Sequence, residues 1–199
     1  MKWIELLRRG KSIYNFAELV RLTGLSSSSL RRAIHRLLLR EVLFKLGKGL
    51  YANSFHSPSL EEVAAILYPP SYISLESGLF THGIVEQAPH GVTCISTNKT
   101  KSFQTALGSV HYAHIKKGLF WGYEFTDEIP LAWPEKAALD FVYIQRQNGL
   151  NPSLDEWNWR YLDVNKLFSL AGWYPRVVDT HFRRFVPHPG PDSNRRPTD

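Results

Sequence analysis

The sequence predicts an α+β fold in which an N-terminal winged helix-turn-helix is followed by a mixed α+β body. Three observations predict it. Between residues 3 and 40 apolar side chains recur at helical spacing, broken by glycines at 10 and 24. Two short β-prone runs around Gly47-Lys48-Gly49 follow at once. Beyond residue 59, strand-like and helix-like runs mix without the regular alternation of a doubly wound sheet.

In chain order, residues 2–9 suit a short helix with Trp3, Leu6 and Leu7 on one side and Gly10 as its stop. Asn15 is a suitable N-cap for a second helix over 16–23, where Phe16, Leu19 and Val20 share a face. Gly24 ends it, Leu25 plugs the angle, and Ser26 caps a third helix reaching Arg40. In that helix Leu30, Ala33, Ile34, Leu37 and Leu38 make one apolar stripe. Arg31, Arg32, His35, Arg36 and Arg40 fall on the other faces. Two helices joined by a tight glycine-containing turn, the second rich in arginine, read as a helix-turn-helix. Residues 42–46 and 50–52, joined by a turn whose glycines accept positive φ, read as its wing.

Charge agrees with that reading. Residues 1–55 carry eleven Lys and Arg against three acids, a net +8, so the remainder carries −2 of the chain's +6. A basic head on a near-neutral body is the electrostatic footprint of a nucleic-acid-binding module. The helix N-terminus with Ser26, Ser27 and Ser28 suits a phosphate. Ser28, Arg31 and Arg32 are placed to reach base edges, since Arg can pair both acceptors of guanine. Arg36, Arg40, Lys45 and Lys48 suit the DNA backbone. His35 fits either a DNA contact or a solvated position.

Residues 53–58, where the periodicity breaks, are read as a linker between a DNA-binding domain at 1–55 and an α+β domain at 59–186. Ser59 caps a helix that ends at Pro69-Pro70. A helical run from Ser74 closes at Gly83. Strands are expected at 92–96, 110–115, 118–125 and 129–132, with 98–108 a polar loop or short helix. Pro134 opens a long helix to about Arg146, and two more follow at 163–170 and 175–185. The proline-rich tail 187–199 is expected to be extended or disordered.

Catalytic chemistry is not evident in the pattern. No phosphate-binding loop, nucleophile elbow or H-E-x-x-H motif occurs. His111 and His114 fall on opposite faces of a strand, which is poor for joint metal ligation, and the trio Glu76, His82 and Glu86 could converge, as many such trios do by chance. Cys94, the single cysteine, reads as a small core residue. The reading is therefore no enzyme, no cofactor and no metal. With no signal peptide and no run long enough to span a bilayer, a cytoplasmic protein without membrane contact is expected. The tryptophans at 121, 133, 157, 159 and 173 read as core or interface anchors.

Two later segments carry a resemblance. Tyr72-Ile73-Ser74-Leu75-Glu76-Ser77-Gly78-Leu79 with His82-Gly83, and Trp133-Pro134-Glu135-Lys136-Ala137-Ala138-Leu139-Asp140, stand in the order found in AbiEi-type antitoxins. These are transcriptional regulators of type IV toxin–antitoxin (abortive infection) systems, used in phage defence. The hairpin Gly47-Lys48-Gly49-Leu50-Tyr51 also resembles theirs, and the likeness spans about residues 10–185. Gly78 departs from it, because that family usually has alanine there. The resemblance implies a repressor that binds an inverted repeat of double-stranded DNA in its own promoter through the winged helix. It implies that the body counteracts a nucleotidyltransferase-type toxin without needing a stable complex. For Glu135, Lys136 and Asp140 the residues themselves suggest a structural use: an acid in the first turn, and a Lys–Asp pair at i,i+4. The alternative is a ligand-responsive repressor without antitoxin activity. A nuclease would need clustered carboxylates with a nearby lysine, which the body lacks at suitable spacing.

Overall fold

A computed structural model describes residues 3–47 and 49–186. Lys48, assigned above to the wing, and the tail 187–199 lie outside the described residues. Eight α-helices and two β-sheets within them form a mixed α+β architecture.

The N-terminal unit comprises α1 (Trp3–Arg8), β1 (Ile13–Asn15), α2 (Phe16–Thr23), α3 (Ser27–Leu39), β2 (Leu43–Gly47) and β3 (Leu50–Asn53). Its helix ends follow from local chemistry. Asn15 Oδ1 accepts the Glu18 N–H at 2.8 Å while the Glu18 carboxylate accepts the Asn15 N–H, a complete capping box. Gly24 stops α2 at φ +64°, a conformation that favours glycine. Ser26 caps α3, its Oγ accepting the Ser29 N–H at 3.3 Å. Leu30, Ile34 and Leu37 then pack with Leu7, Tyr14, Leu19 and Leu43 in one core.

Strand β1 was not expected from the sequence. Ile13 and Tyr14 pair with Ala52 and Tyr51, giving an antiparallel sheet of order β1-β3-β2. Three residues between Gly10 and a helix cap are too few to show a period. The hairpin turn is pinned to α2, because the Phe16 N–H donates to the Gly49 carbonyl at 2.9 Å. Asn53 is fully buried, and its amide donates to the carbonyls of Leu7 and Lys11 at 2.7 and 3.1 Å. It therefore fastens the end of β3 to α1, rather than beginning a linker.

Helix α4 (Leu60–Leu67) opens with a second capping box, Ser59 with Glu62. It serves two layers. Val63 packs with Ile13, Leu46 and Ala52 of the small sheet. Leu60, Ala64 and Tyr68 pack over Val92, Cys94, Val110 and Tyr112 of the large one. Ser12 Oγ also donates to Glu62 at 3.1 Å. The break at residues 53–58 is a break in the chain's periodicity, across which the packing is continuous.

The large sheet has the order β6-β7-β5-β4-β9-β8. Its strands are β4 (Ser71–Ile73), β5 (Gly91–Ser96), β6 (Lys101–Thr105), β7 (Gly108–His114), β8 (Tyr123–Thr126) and β9 (Ile129–Ala132). β5 runs parallel to β7 and β4 parallel to β9. Side chains alternate as a pleated sheet requires. Ile73, Cys94 and Tyr112 face α4, whereas Tyr72, Ile95 and Ala113 face the second core. That core is closed by α5 (Leu75–Thr81), α6 (Pro134–Gln147), α7 (Val164–Ala171) and α8 (Arg176–Phe182).

Two expectations fail here. Residues 101–105 form an edge strand instead of a loop or helix. Its Lys101, Ser102 and Gln104 are exposed, so its polarity hid it. Residues 117–119 form a 3₁₀ turn, and the strand expected from 118 starts only at Tyr123. Gly78 has a packing reason. A Cβ there would lie 2.9 Å from Ala137 Cβ, so α5 and α6 approach through the glycine.

Candidate nucleic-acid interface

The exposed side of α3 is made of the residues the core does not use. Ser27, Ser28, Arg31, Arg32, His35, Arg36 and Arg40 are all exposed, and Lys45 is exposed on β2. Among the described residues, Arg31, Arg32, Arg36, Arg40 and Lys45 form no ion pair. Two of the nearby acids are already engaged: Glu5 by Arg9 at 3.7 Å, and Glu18 by Lys11 at 2.5 Å. No acid occupies the first turn of α3, so nothing there offsets the partial positive charge of the helix start. Ser26 Oγ lies 3.2 Å from Ser28 Oγ and donates to Ser29 Oγ at 3.1 Å, a compact hydroxyl cluster at that end. The Arg31 guanidinium lies over the Phe16 ring at 5.7 Å, which holds one arginine toward α2.

On the other flank α3 and α1 enclose a groove of about 870 Å³. Trp3, Ala33, Leu37 and Val42 line its apolar part, and Arg8, Arg9, Arg36 and Arg40 its rim. The sequence placed Arg36 and Arg40 on the basic surface but not Arg8 and Arg9. Their position at the end of α1, Arg8 in its last turn and Arg9 just after it beside Gly10, was the available signal.

Helix α6 handles charge in the opposite way. Lys136 and Asp140, on α6, are wholly buried and paired with each other. The Lys136 ammonium also donates to the Tyr72 and Tyr174 hydroxyls at 2.7 and 2.8 Å. Asp140 accepts from Tyr72 and Ser74, both at 2.9 Å, and from Tyr174 at 2.7 Å. All three ammonium protons are used, and both carboxylate oxygens are satisfied. The rings of Tyr72, Trp121 and Tyr174 surround the cation at 5.2, 5.2 and 5.5 Å. Burial pushes the Lys136 pKa down against the opposing pull of Asp140. Burial, reinforced by Asp140, pushes those of Tyr72 and Tyr174 up. Glu135 is buried one residue away, held by Lys166 at 2.8 Å and accepting the Asp163 N–H. The pairing of Lys136 with Asp140 was legible from their spacing, whereas their burial and the roles of Tyr72, Ser74 and Tyr174 were not.

The remaining candidates are dispersed. Glu76 and Glu86 line an open cleft of about 1200 Å³ together with His90, His111, Asp155 and Glu156. His82 does not join them, since its Nε2 is bonded to the Ala132 carbonyl at 2.7 Å. Among the described residues no three His, Cys, Asp or Glu side chains are grouped to hold a metal ion. Cys94 is 1% exposed, and burial raises its thiol pKa. Trp157 is buried, whereas Trp173 is exposed and stands 6.3 Å from Trp121. Among the described residues no helix is long and apolar enough to cross a membrane.

No protein-family model matches the chain, and no curated protein does so either. The fold is similar to the crystal structure of the RV2827C protein from Mycobacterium tuberculosis, with a TM-score of 0.59. The likeness covers 92% of this chain and 73% of that one, at 13% sequence identity. At that identity it speaks for a shared mixed α+β fold alone.

Proposed function

We propose that the N-terminal unit is a winged helix-turn-helix that binds double-stranded DNA. In this reading α2, the Gly24 turn and α3 are the helix-turn-helix, and β2 with β3 is the wing. The observation that carries it is the exposed arginine face of α3, which has no acidic partner among the described residues. Exposed cations without counterions along the solvent side of a helix suit a row of phosphates, and binding would release the DNA's own counterions. The helix start and the Ser26–Ser28 hydroxyls take a phosphate. Arg31 and Arg32 read bases, each good bidentate contact being worth ~1–3 kcal/mol of discrimination. Arg36, Arg40 and Lys45 hold the backbone and set register.

The fuller proposal is a DNA-binding antitoxin. It represses its own operon at an inverted repeat, which two copies would occupy. Its body counteracts a nucleotidyltransferase-type toxin. Support for this part is the resemblance of residues 72–83 and 133–140 to AbiEi-type proteins. Those two segments supply Tyr72, Ser74, Lys136 and Asp140, four of the five residues of the buried polar cluster. The second reading is a repressor that responds to a small ligand, and the cleft beside Glu76 and Glu86 favours it.

Fluorescence anisotropy with the DNA upstream of the reading frame, against a scrambled duplex, tests the DNA half. Arg31→Ala and Arg32→Ala each weaken cognate binding about tenfold more than scrambled binding. Equal loss on both would reassign these arginines to the backbone, and no binding by the native chain would overturn the reading. Rescue of growth against the product of the neighbouring reading frame tests the antitoxin half.

A further inference from the structure

The body's charge is unevenly placed. Residues 87–123 contain no Asp or Glu, yet hold Lys99, Lys101, Lys116 and Lys117. The topology gathers three of these at one corner. Lys99 lies in the turn after β5, Lys101 starts β6, and Lys116 follows the end of β7, which pairs with both strands. His114 shares that corner, its Nδ1–H donating to the Asn98 carbonyl at 2.9 Å and its N–H to Thr100 Oγ1 at 3.1 Å. Lys99, Lys101, His114 and Lys116 are exposed, and no ion pair engages them among the described residues.

This corner adjoins the hairpin. β6 is one outer strand of the large sheet and β2 one outer strand of the small one, and the two lie in contact. Gly47, at the end of β2, sits against Leu67, the last residue of α4. The next residue, Tyr68, lies under the Lys101 ammonium at 5.5 Å, with the Phe103 ring at 4.7 Å. Two aromatic rings thus hold the Lys101 head in place before any partner arrives, reducing the entropy lost on binding.

We propose that the Lys99–Lys101 corner is a second phosphate-binding surface, which grips the same DNA duplex beyond the hairpin. The inference rests on the DNA-binding reading above and extends its footprint onto the body. Neither lysine specifies sequence, because phosphate contacts position the duplex without reading it. The surface needs a duplex long enough to pass both the α3 face and β6.

The test compares non-specific duplexes of about one and about three helical turns, ~10 and ~30 base pairs. Binding of the full chain is measured across a salt series. The native chain shows a steeper salt dependence on the longer duplex. The double variant Lys99→Ala/Lys101→Ala lowers the long-duplex slope by about 1.8, at ~0.9 per phosphate contact, and leaves the short-duplex slope unchanged. Both lysines are exposed, and Lys101 gives up only its side-chain contact with the Tyr68 and Phe103 rings, so a cooperative melt close to the native one shows that folding is intact. A long-duplex slope unaltered by the double variant overturns the second surface while leaving the α3 reading in place. Failure of the native chain to bind either duplex overturns the reading beneath it.

Discussion

Helices α3 and α6 use charge for opposite ends. On α3 every arginine is exposed and without an acidic partner among the described residues. On α6 Glu135, Lys136 and Asp140 are buried, and each has a partner of opposite charge. Burying an ion costs several kcal/mol unless pairing and hydrogen bonds replace its water. The α6 charges meet that condition and belong to the architecture. The α3 charges remain hydrated, contribute little to folding and are free to meet an external anion. A residue's sign and position in a helix do not separate these uses, but its partners do.

The largest expected effect lies in the body. Asp140→Ala leaves the Lys136 ammonium buried without a counterion and is expected to cost ~3–5 kcal/mol in urea unfolding. Lys136→Met is expected to cost less, because Asp140 keeps three hydroxyl donors. A negligible loss from Asp140→Ala would show that the cluster does not anchor the body, and equal losses would show that the three hydroxyl donors do not compensate Asp140. Next, Ser26→Ala removes the cap of α3 and is expected to lower stability by ~1 kcal/mol. Arg32→Ala, on the same helix, should change stability by less than ~0.5 kcal/mol. If Arg32→Ala destabilised as much as Ser26→Ala, the separation between the two kinds of charge would fail. A smaller effect belongs to the hairpin. Lys45→Ala is expected to reduce the slope of log affinity against log salt by ~0.9, one phosphate contact. An unchanged slope would remove the hairpin from the interface.

The smallest effect concerns pH. His181 is 2% exposed, and burial lowers its pKa below the ordinary 6.5, outweighing its hydrogen bond to the Pro152 carbonyl. As pH falls through 6.5 the unfolded chain takes up its proton first. It then binds more protons than the folded chain, so stability falls with pH until the lower folded pKa is passed. Thermal melts at descending pH should show this slope in the native chain and less of it in His181→Gln. An identical slope in the variant would assign the acid sensitivity elsewhere.

Local chemistry was legible in the sequence. Asn15, Gly24, Ser26 and Ser59 fix helix ends through contacts a few residues long, and they lie where the pattern placed them. The exposure of the α3 arginines followed from the 3.6-residue period of Leu30, Ala33, Ile34 and Leu37. Strands β1 and β4 were too short to show a period, and the exposed, polar β6 looked like a loop. The buried cluster was hidden for another reason. Tyr72 is 64 residues from Lys136 and Tyr174 is 38, so only tertiary structure unites them. The cationic corner of β6 was missed similarly, because its relation to the hairpin depends on how α4 joins the two sheets.

The central claim is that the outer face of α3 lies in a DNA groove, and a tethered cleavage reagent tests it most directly. Cys94 is the chain's single cysteine and is 1% exposed, so Ser28→Cys supplies one reactive thiol at the start of α3. A DNA-cleaving iron chelate attached there should cut the upstream duplex at two symmetric positions, one per half-site. Tight binding without cuts, or cuts scattered evenly along the duplex, would contradict the account.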